Sequence, residues 1–470
     1  MRAIRHSVFA IFAVTLLAMA STPAFAQSTL PANLSANIDK IAREALKKSG
    51  VPSASIAVVR DGRLAYVHAY GDARLDPKTP ATPSMRYSIG SISKQFTAAA
   101  ILMLQHQGKL SLDDKVAKYF PDLTDADQIT IRQILSHTSG YEDYWPQDYV
   151  MPEMLKPTTP QFIMDTWAKK PLDFRPGTKW QYSNTGFVIA GSIVHKLTGK
   201  TPFEFLEQHV FKPLGMGDVY NNNLHALPVT GARGYRRYAL GPLHPAPKEA
   251  VNWLYGDAAL SMTPTDLAKW DMAMLHQTLL QPASWKAMQT EVLLNDGSGS
   301  GYGLGVFVRR FDGHRLIAHD GEVSGFTDTN FVFPDDGTAV VVLTNQDAVG
   351  TSGVIAGRIA MALFKVRDPA ATRALAQAKT IFAGLQRGRI DRNLFSADGN
   401  SYFNATALHD YRTSLAPLGK PGAFTLRGSH ERGGMQMHGY LVTFPGTQLA
   451  ITTYTLPDGK LEQYIVSSTD

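Results

Sequence analysis

Gly90-Ser91-Ile92-Ser93-Lys94 sets a serine hydroxyl and a lysine amine three residues apart, just ahead of the apolar, helix-forming run Ala98 to Leu104. That context predicts a buried helix with Ser91 at or just before its first turn. Residues three apart share a helix face, so the Lys94 amine would come within reach of the Ser91 hydroxyl. Serine is a poor nucleophile until its proton is taken. Lysine can take it once burial or a nearby positive group brings its pKa down from about 10.4 towards neutrality, and each unit of that shift costs about 1.4 kcal/mol. A helix start also leaves backbone N–H groups free, and that of Ser91 could help hold an oxyanion. The same spacing fits a helix N-cap beside a solvated lysine, so the rest of the chain must decide between the two.

The elements that would position this pair can be read in order. A helix is predicted over Ile38 to Lys48, closed by Gly50, then a hairpin whose strands Ser55 to Arg60 and Arg63 to His68 turn at Asp61-Gly62. Gly108 closes the Ser91 helix. Residues 111 to 300 read mostly as helix and loop, with helices over Thr185 to Leu197 and from a Thr263 cap to Leu275. Gly297, Gly299, Gly301, Gly303 and Gly305 lack the Lys-Ser/Thr ending of a phosphate loop and read as a loop entering a strand. Strands follow from Leu316, then a hairpin of Thr327 to Phe333 with Thr338 to Thr344, then a helix over Gly353 to Phe364. Strands at both ends of a long helical insertion imply an α+β fold: an antiparallel sheet flanked by helices, with a helical subdomain beside it. Arg367-Asp368-Pro369 reads as a linker. Helices Ala371 to Leu385 and Thr406 to Leu415 and four strands between Phe424 and Val466 then make a small α+β domain.

Bulk properties narrow the class. Arg2 and Arg5, the apolar run Val8 to Ala20 and the small-x-small site Ala24-Phe25-Ala26 read as a secretory signal over residues 1–26, too short for a comfortable span. The expected divisions are a leader at 1–26, a large domain at 27–365 and a small one at 366–470. Export to a bacterial periplasm or beyond follows, with no stable membrane span after cleavage. The chain has no cysteine, which removes disulfides, thiol catalysis and thiolate metal sites. Its formal charge of +6 is spread over 470 residues without a dense basic cluster, so nucleic acid is not an expected partner. No metal-ligand pattern of the His-Glu-x-x-His kind is present, and neither a metal nor a cofactor is expected.

Three ordered pieces, Ser91-Ile92-Ser93-Lys94, Tyr182-Ser183-Asn184 and His319-Asp320-Gly321, resemble the serine β-lactamase-like hydrolases: the branch of class C β-lactamases, D-alanyl-D-alanine carboxypeptidases, D-aminopeptidases and family VIII esterases. Leu135-Ser136-His137-Thr138-Ser139-Gly140, Phe211-Lys212-Pro213-Leu214-Gly215-Met216 and Leu260-Ser261-Met262-Thr263 support it, and the likeness spans roughly residues 30 to 365. It implies that Ser91, Lys94 and Tyr182 are catalytic, with Lys94 either the base itself or the group that tunes Tyr182. A phenol near two cations is expected to have a lowered pKa. Asn184 would bond Lys94 and a substrate amide. His319 and Gly321 share one face of a strand edge, where Gly321 lets substrate lie close and the Glu322 N–H is the second oxyanion donor. His137 is expected to serve structural hydrogen bonding. The last hundred residues resemble a cystatin-like or nuclear-transport-factor-like domain by element order.

Departures from the family shape the substrate expectation. The third motif opens with His319 rather than lysine, and Asp320 and Glu322 would repel a substrate carboxylate if they faced the site, although Asp320 should alternate away. The expected function is an exported serine hydrolase acting through an acyl-enzyme on an ester or amide, as an esterase or D-amino-acid peptidase. A true β-lactamase or D-alanyl-D-alanine carboxypeptidase is the alternative, and a non-catalytic receptor for wall fragments or antibiotics the second. The expected partner is a small-molecule or peptide substrate with an ester, amide or lactam bond.

Overall fold

The computed structural model describes residues 30–367 and 369–469; the expected leader over residues 1–26 lies outside them. The chain forms two compact units that divide between Ala360 and Met361. In the first, a helix over Ala32–Ser49 precedes strands β1 (Ser53–Arg60), β2 (Arg63–Leu75) and β3 (Lys78–Pro80). The strands that return late in the chain are β4 (Phe307–Phe311), β5 (His314–Val323), β6 (Phe326–Phe333) and β7 (Thr338–Thr344). All seven form one antiparallel sheet in the order β3-β2-β1-β7-β6-β5-β4. The two ends of the domain meet where β1 pairs with β7, from Ala54 opposite Thr344 to Val59 opposite Ala339.

The sequence explains these elements locally. Asp61 and Gly62 both adopt positive φ, 54° and 69°, as a tight hairpin turn requires. Every residue of β7 is buried, and so are all of β1 except Arg60, so both strands are covered on two faces and carry the apolar runs Ile56 to Val59 and Ala339 to Leu343. The helix over Ala32–Ser49 packs against β1 and β2, and the helix Pro264–Leu275 packs on β1 and β7. The Thr263 hydroxyl caps the latter by accepting the Asp266 N–H at 3.2 Å.

The Ser91 segment enters as a single 3₁₀ turn, Gly90–Ile92, which runs straight into the helix Ser93–His106. That helix is buried from Ser93 to Leu102, so it forms the axis of the domain rather than a surface element. The helix Asn184–Thr198 lies against it. Two small sheets had no visible period, because their strands are two or three residues long: Tyr87–Ser88 with Leu260–Met262 and Tyr220–Asn221, and the hairpin Tyr235–Arg237 with Leu243–Pro245.

The second unit has its own core. Strands Phe424–Arg432, Met435–Phe444, Thr447–Thr455 and Leu461–Ser468 form an antiparallel meander in chain order. Phe382 and Leu385 from the helix Pro369–Leu385 pack there with Val442, Ile451 and Tyr464.

One backbone contact places the site. The Gly90 turn and the end of β5 touch closely. A Cβ on Gly90 would stand 2.6 Å from the Glu322 nitrogen, and one on Gly321 would stand 2.1 Å from the Ile89 carbonyl oxygen. Gly90 also holds φ at 48°, a region that side chains disfavour. Gly321→Ala should therefore force the strand away from the turn. The expected result is a loss of about 2 kcal/mol or more in thermal denaturation, together with loss of Ser91 reactivity.

Candidate active site

Ser91, Lys94, Tyr182 and Asn184 converge where the two central helices begin. The Lys94 amine is wholly buried and meets three oxygens: Ser91 Oγ at 3.0 Å, Asn184 Oδ1 at 2.7 Å and the Asp257 carbonyl at 3.3 Å. As an ammonium it can donate to all three. As a free amine it can donate to Asn184 and Asp257, which leaves its lone pair for the Ser91 hydroxyl proton. Burial lowers its pKa from 10.5 to about 8, against the opposing pull of the Asp257 and Asp143 carboxylates. A shift of that size costs the fold about 3 kcal/mol.

Tyr182 closes the other side. Its hydroxyl hydrogen-bonds the Ser91 side chain, and the Lys94 nitrogen stands 4.9 Å from its ring centre. The expected lowering of its pKa is not found. Desolvation raises it well above 10, and Asp143, Asp257 and Asp320 add to that against a single close cation. Tyr182 therefore holds its proton at neutral pH and stands as a donor.

His137 holds Tyr182 in place. Its carbonyl accepts the Gln181 N–H at 3.0 Å, its Nδ1 accepts the Ser183 N–H at 3.1 Å, and its ring lies 4.2 Å from that of Tyr182. It thus grips the peptides on both sides of the tyrosine. Burial, with Lys94 and His319 nearby, holds its pKa well below 6.5, so the ring is neutral.

The third-motif residues separate. Gly321 and the Glu322 nitrogen lie against the Ser91 turn, as described above. The Glu322 side chain lines the cleft and accepts the Ala348 N–H at 2.8 Å. Burial raises its pKa to about 7, and Asp148 and Asp347 reinforce the shift. His319 is not brought into the cleft. Its Nδ1 donates to the Asp320 carbonyl at 2.7 Å, and its Nε2 accepts the Tyr302 hydroxyl at 2.8 Å. Burial and then Lys94 bring its pKa to about 3, so it is a neutral wall behind Tyr182. Asp320 turns away and accepts the Thr329 hydroxyl at 2.9 Å.

The cleft above Ser91 has a volume of about 480 Å³. Five acidic residues line it, Asp143, Asp148, Asp257, Glu322 and Asp347, and among the described residues no lysine, arginine or histidine does. The sequence reading found only Glu322 of these. Asp143 and Asp347 lie in loops with no periodicity to mark them. Asp257 could have been noticed as a lone acid in the otherwise apolar run Leu254 to Met262. Among the described residues no group of His, Cys, Asp and Glu side chains is arranged to hold a metal.

The chain belongs to the β-lactamase family, whose model, Beta-lactamase, matches residues 38–362. It is similar to penicillin-binding protein 4* of Bacillus subtilis, 28% identical over 307 residues, which make up 62% of this chain and 68% of that protein. A D-aminopeptidase of Brucella anthropi is 26% identical over 64% of this chain, but only 58% of the relative is spanned. Among solved structures, the D-amino acid amidase of Ochrobactrum anthropi SV3, complexed with L-phenylalanine amide, superposes with a TM-score of 0.64 at 26% identity, covering 72% of this chain and all of that one.

The amine of Lys94 sets a pH prediction. The reactivity of Ser91 should climb about tenfold per pH unit below the Lys94 pKa and level off above about pH 8. Rates of inactivation by a fluorophosphonate across pH 5–10 measure it; a flat profile would remove Lys94 as the proton acceptor.

Proposed function

We propose that the protein is an exported serine hydrolase that cleaves esters or amides through an acyl-enzyme on Ser91. The observation that carries this reading is the placement of Ser91 Oγ, 3.0 Å from a buried lysine amine of lowered pKa and hydrogen-bonded to a tyrosine that keeps its proton. Lys94 takes the Ser91 proton as Oγ attacks the substrate carbonyl. The Ser91 and Glu322 N–H groups hold the oxyanion. Tyr182 gives its proton to the departing oxygen or nitrogen and recovers one from Lys94, which restores the free amine. Water then releases the acid. Asn184 keeps the Lys94 amine turned so that its lone pair faces Ser91.

The acid-lined cleft favours substrates whose reacting end is neutral or bears an amine. A penicillin or a peptide ending in a free carboxylate would meet like charge, and His319, already neutral and engaged on both nitrogens, offers it no grip. The D-aminopeptidase and D-amino acid amidase relatives fit this preference, since an amino-terminal residue carries an amine rather than a carboxylate beside the scissile bond. Export follows from the charged and apolar start of the chain.

Intact-mass spectrometry after brief exposure to a fluorophosphonate, beside Ser91→Ala, tests the nucleophile. One adduct that disappears in the variant is expected, and an unlabelled folded wild type would overturn the reading. Turnover of p-nitrophenyl butyrate and of a D-amino-acid p-nitroanilide should exceed that of nitrocefin by about tenfold or more. Stable acylation without release would favour a binding protein instead.

A further inference from the structure

Asp257 is a buried carboxyl that the acyl-transfer scheme does not use. It has no exposed surface, and its own carbonyl receives a Lys94 N–H. One carboxyl oxygen, Oδ1, has no hydrogen-bond partner; the other, Oδ2, lies 3.0 Å from the Tyr144 hydroxyl oxygen. Tyr144 has one proton to give. Its hydroxyl also donates to the Trp253 carbonyl, which can only accept. The Tyr144 O–H is therefore shared between the Trp253 carbonyl and Asp257 Oδ2, which leaves the carboxyl with half a partner and Oδ1 with none. The geometry describes a buried, under-partnered carboxyl on the same residue whose carbonyl receives the Lys94 N–H.

We infer that Asp257 is a positioning residue that sets the charge of Lys94: as a neutral acid it leaves Lys94 free to be a neutral base, and as a carboxylate it holds Lys94 as an ammonium that cannot accept the Ser91 proton. This rests on the reading of Lys94 as the base. Its chemistry is a change of charge state beside the base, with no bond made to substrate.

The surroundings agree. Burial raises the Asp257 pKa to about 7, with a further push from Asp143 and an opposing pull from Lys94 and Tyr144, so the group loses its proton close to where Lys94 loses its own. Two acids face Lys94, Asp257 and Asp143. Asp143 is occupied by the N–H groups of Trp145 and Asn184, at 3.1 and 3.0 Å. Across the amine stand Tyr182, which keeps its proton, and His137 and His319, both held neutral.

Asp257→Asn tests the inference, because the asparagine amide oxygen can still accept the Tyr144 hydroxyl while the charge is lost. The probe is fluorophosphonate inactivation across pH 5–10, read by intact mass in wild type and variant. The midpoint of the acid limb should fall by about one pH unit or more in the variant. The variant should then label about threefold faster than wild type between pH 7 and 8, where wild-type Asp257 is charged, and at about the same rate by pH 6, where Asp257 carries its own proton. Asp257→Ser should move the midpoint the same way and serves if the asparagine variant does not fold. A slower rate with an unchanged midpoint would show that Asp257 only supports the fold, and would overturn the inference while leaving Lys94 as the base. A wild type without a pH-dependent limb would overturn both.

Discussion

The burial of one lysine amine is the constraint on which the rest of the structure depends. Lys94 is placed where solvent cannot reach it, and its nitrogen is met by three oxygens from three separate segments. An ordinary lysine would gain about 3 kcal/mol by leaving such a place. It stays because it lies on a helix buried along most of its length, beneath the Asn184 helix and the Asp257 segment. The fold spends stability at this point, and reactivity at Ser91 follows from it. Removing solvent from the amine weakens its hold on a proton, and fixing two N–H directions leaves the lone pair facing the serine.

A second constraint brings the substrate-facing backbone to that serine. The sheet edge and the nucleophile turn come from residues more than two hundred positions apart, yet Gly90 and Gly321 let their backbones touch. No side chain could stand at either position without parting the two. The third motif thus contributes mainly through main chain: its glycine and the following N–H are at the site, while its histidine and aspartate bond within the protein.

What the sequence made legible was local. Asp61-Gly62 announced its hairpin because its turn needs positive φ, Thr263 announced a helix start because its hydroxyl caps one, and Ser91 and Lys94 announced a shared face because the helix period is fixed. Tyr182 and Asn184 could be assigned through resemblance, and the structure brings both to Lys94 and Ser91. Alternation along the strand correctly separated Asp320 from His319. It could not tell that the Tyr302 hydroxyl, from a glycine-rich segment, would occupy the imidazole. The Tyr182 pKa was read in the wrong direction because burial opposes its ionisation first, and the acids that add to it, Asp143 and Asp257, come from loops brought together only by the fold. The acidity of the cleft was hidden for the same reason.

These features make a coherent electrostatic design. Acidic side chains line the cleft while burial loosens the base's hold on its proton, so the free amine is reached near pH 8 and no cation lines the substrate space. The account therefore turns on the charge of one nitrogen. Its most direct test is a pH titration of the Lys94 Nζ resonance by nitrogen-15 NMR in the folded, selectively labelled protein, assigned with Lys94→Arg. The account predicts a midpoint near pH 8. A midpoint at the ordinary lysine value of about 10.4 would contradict it, since the free amine would then be well under about a thousandth of the population at neutral pH, against about a tenth at a midpoint near 8.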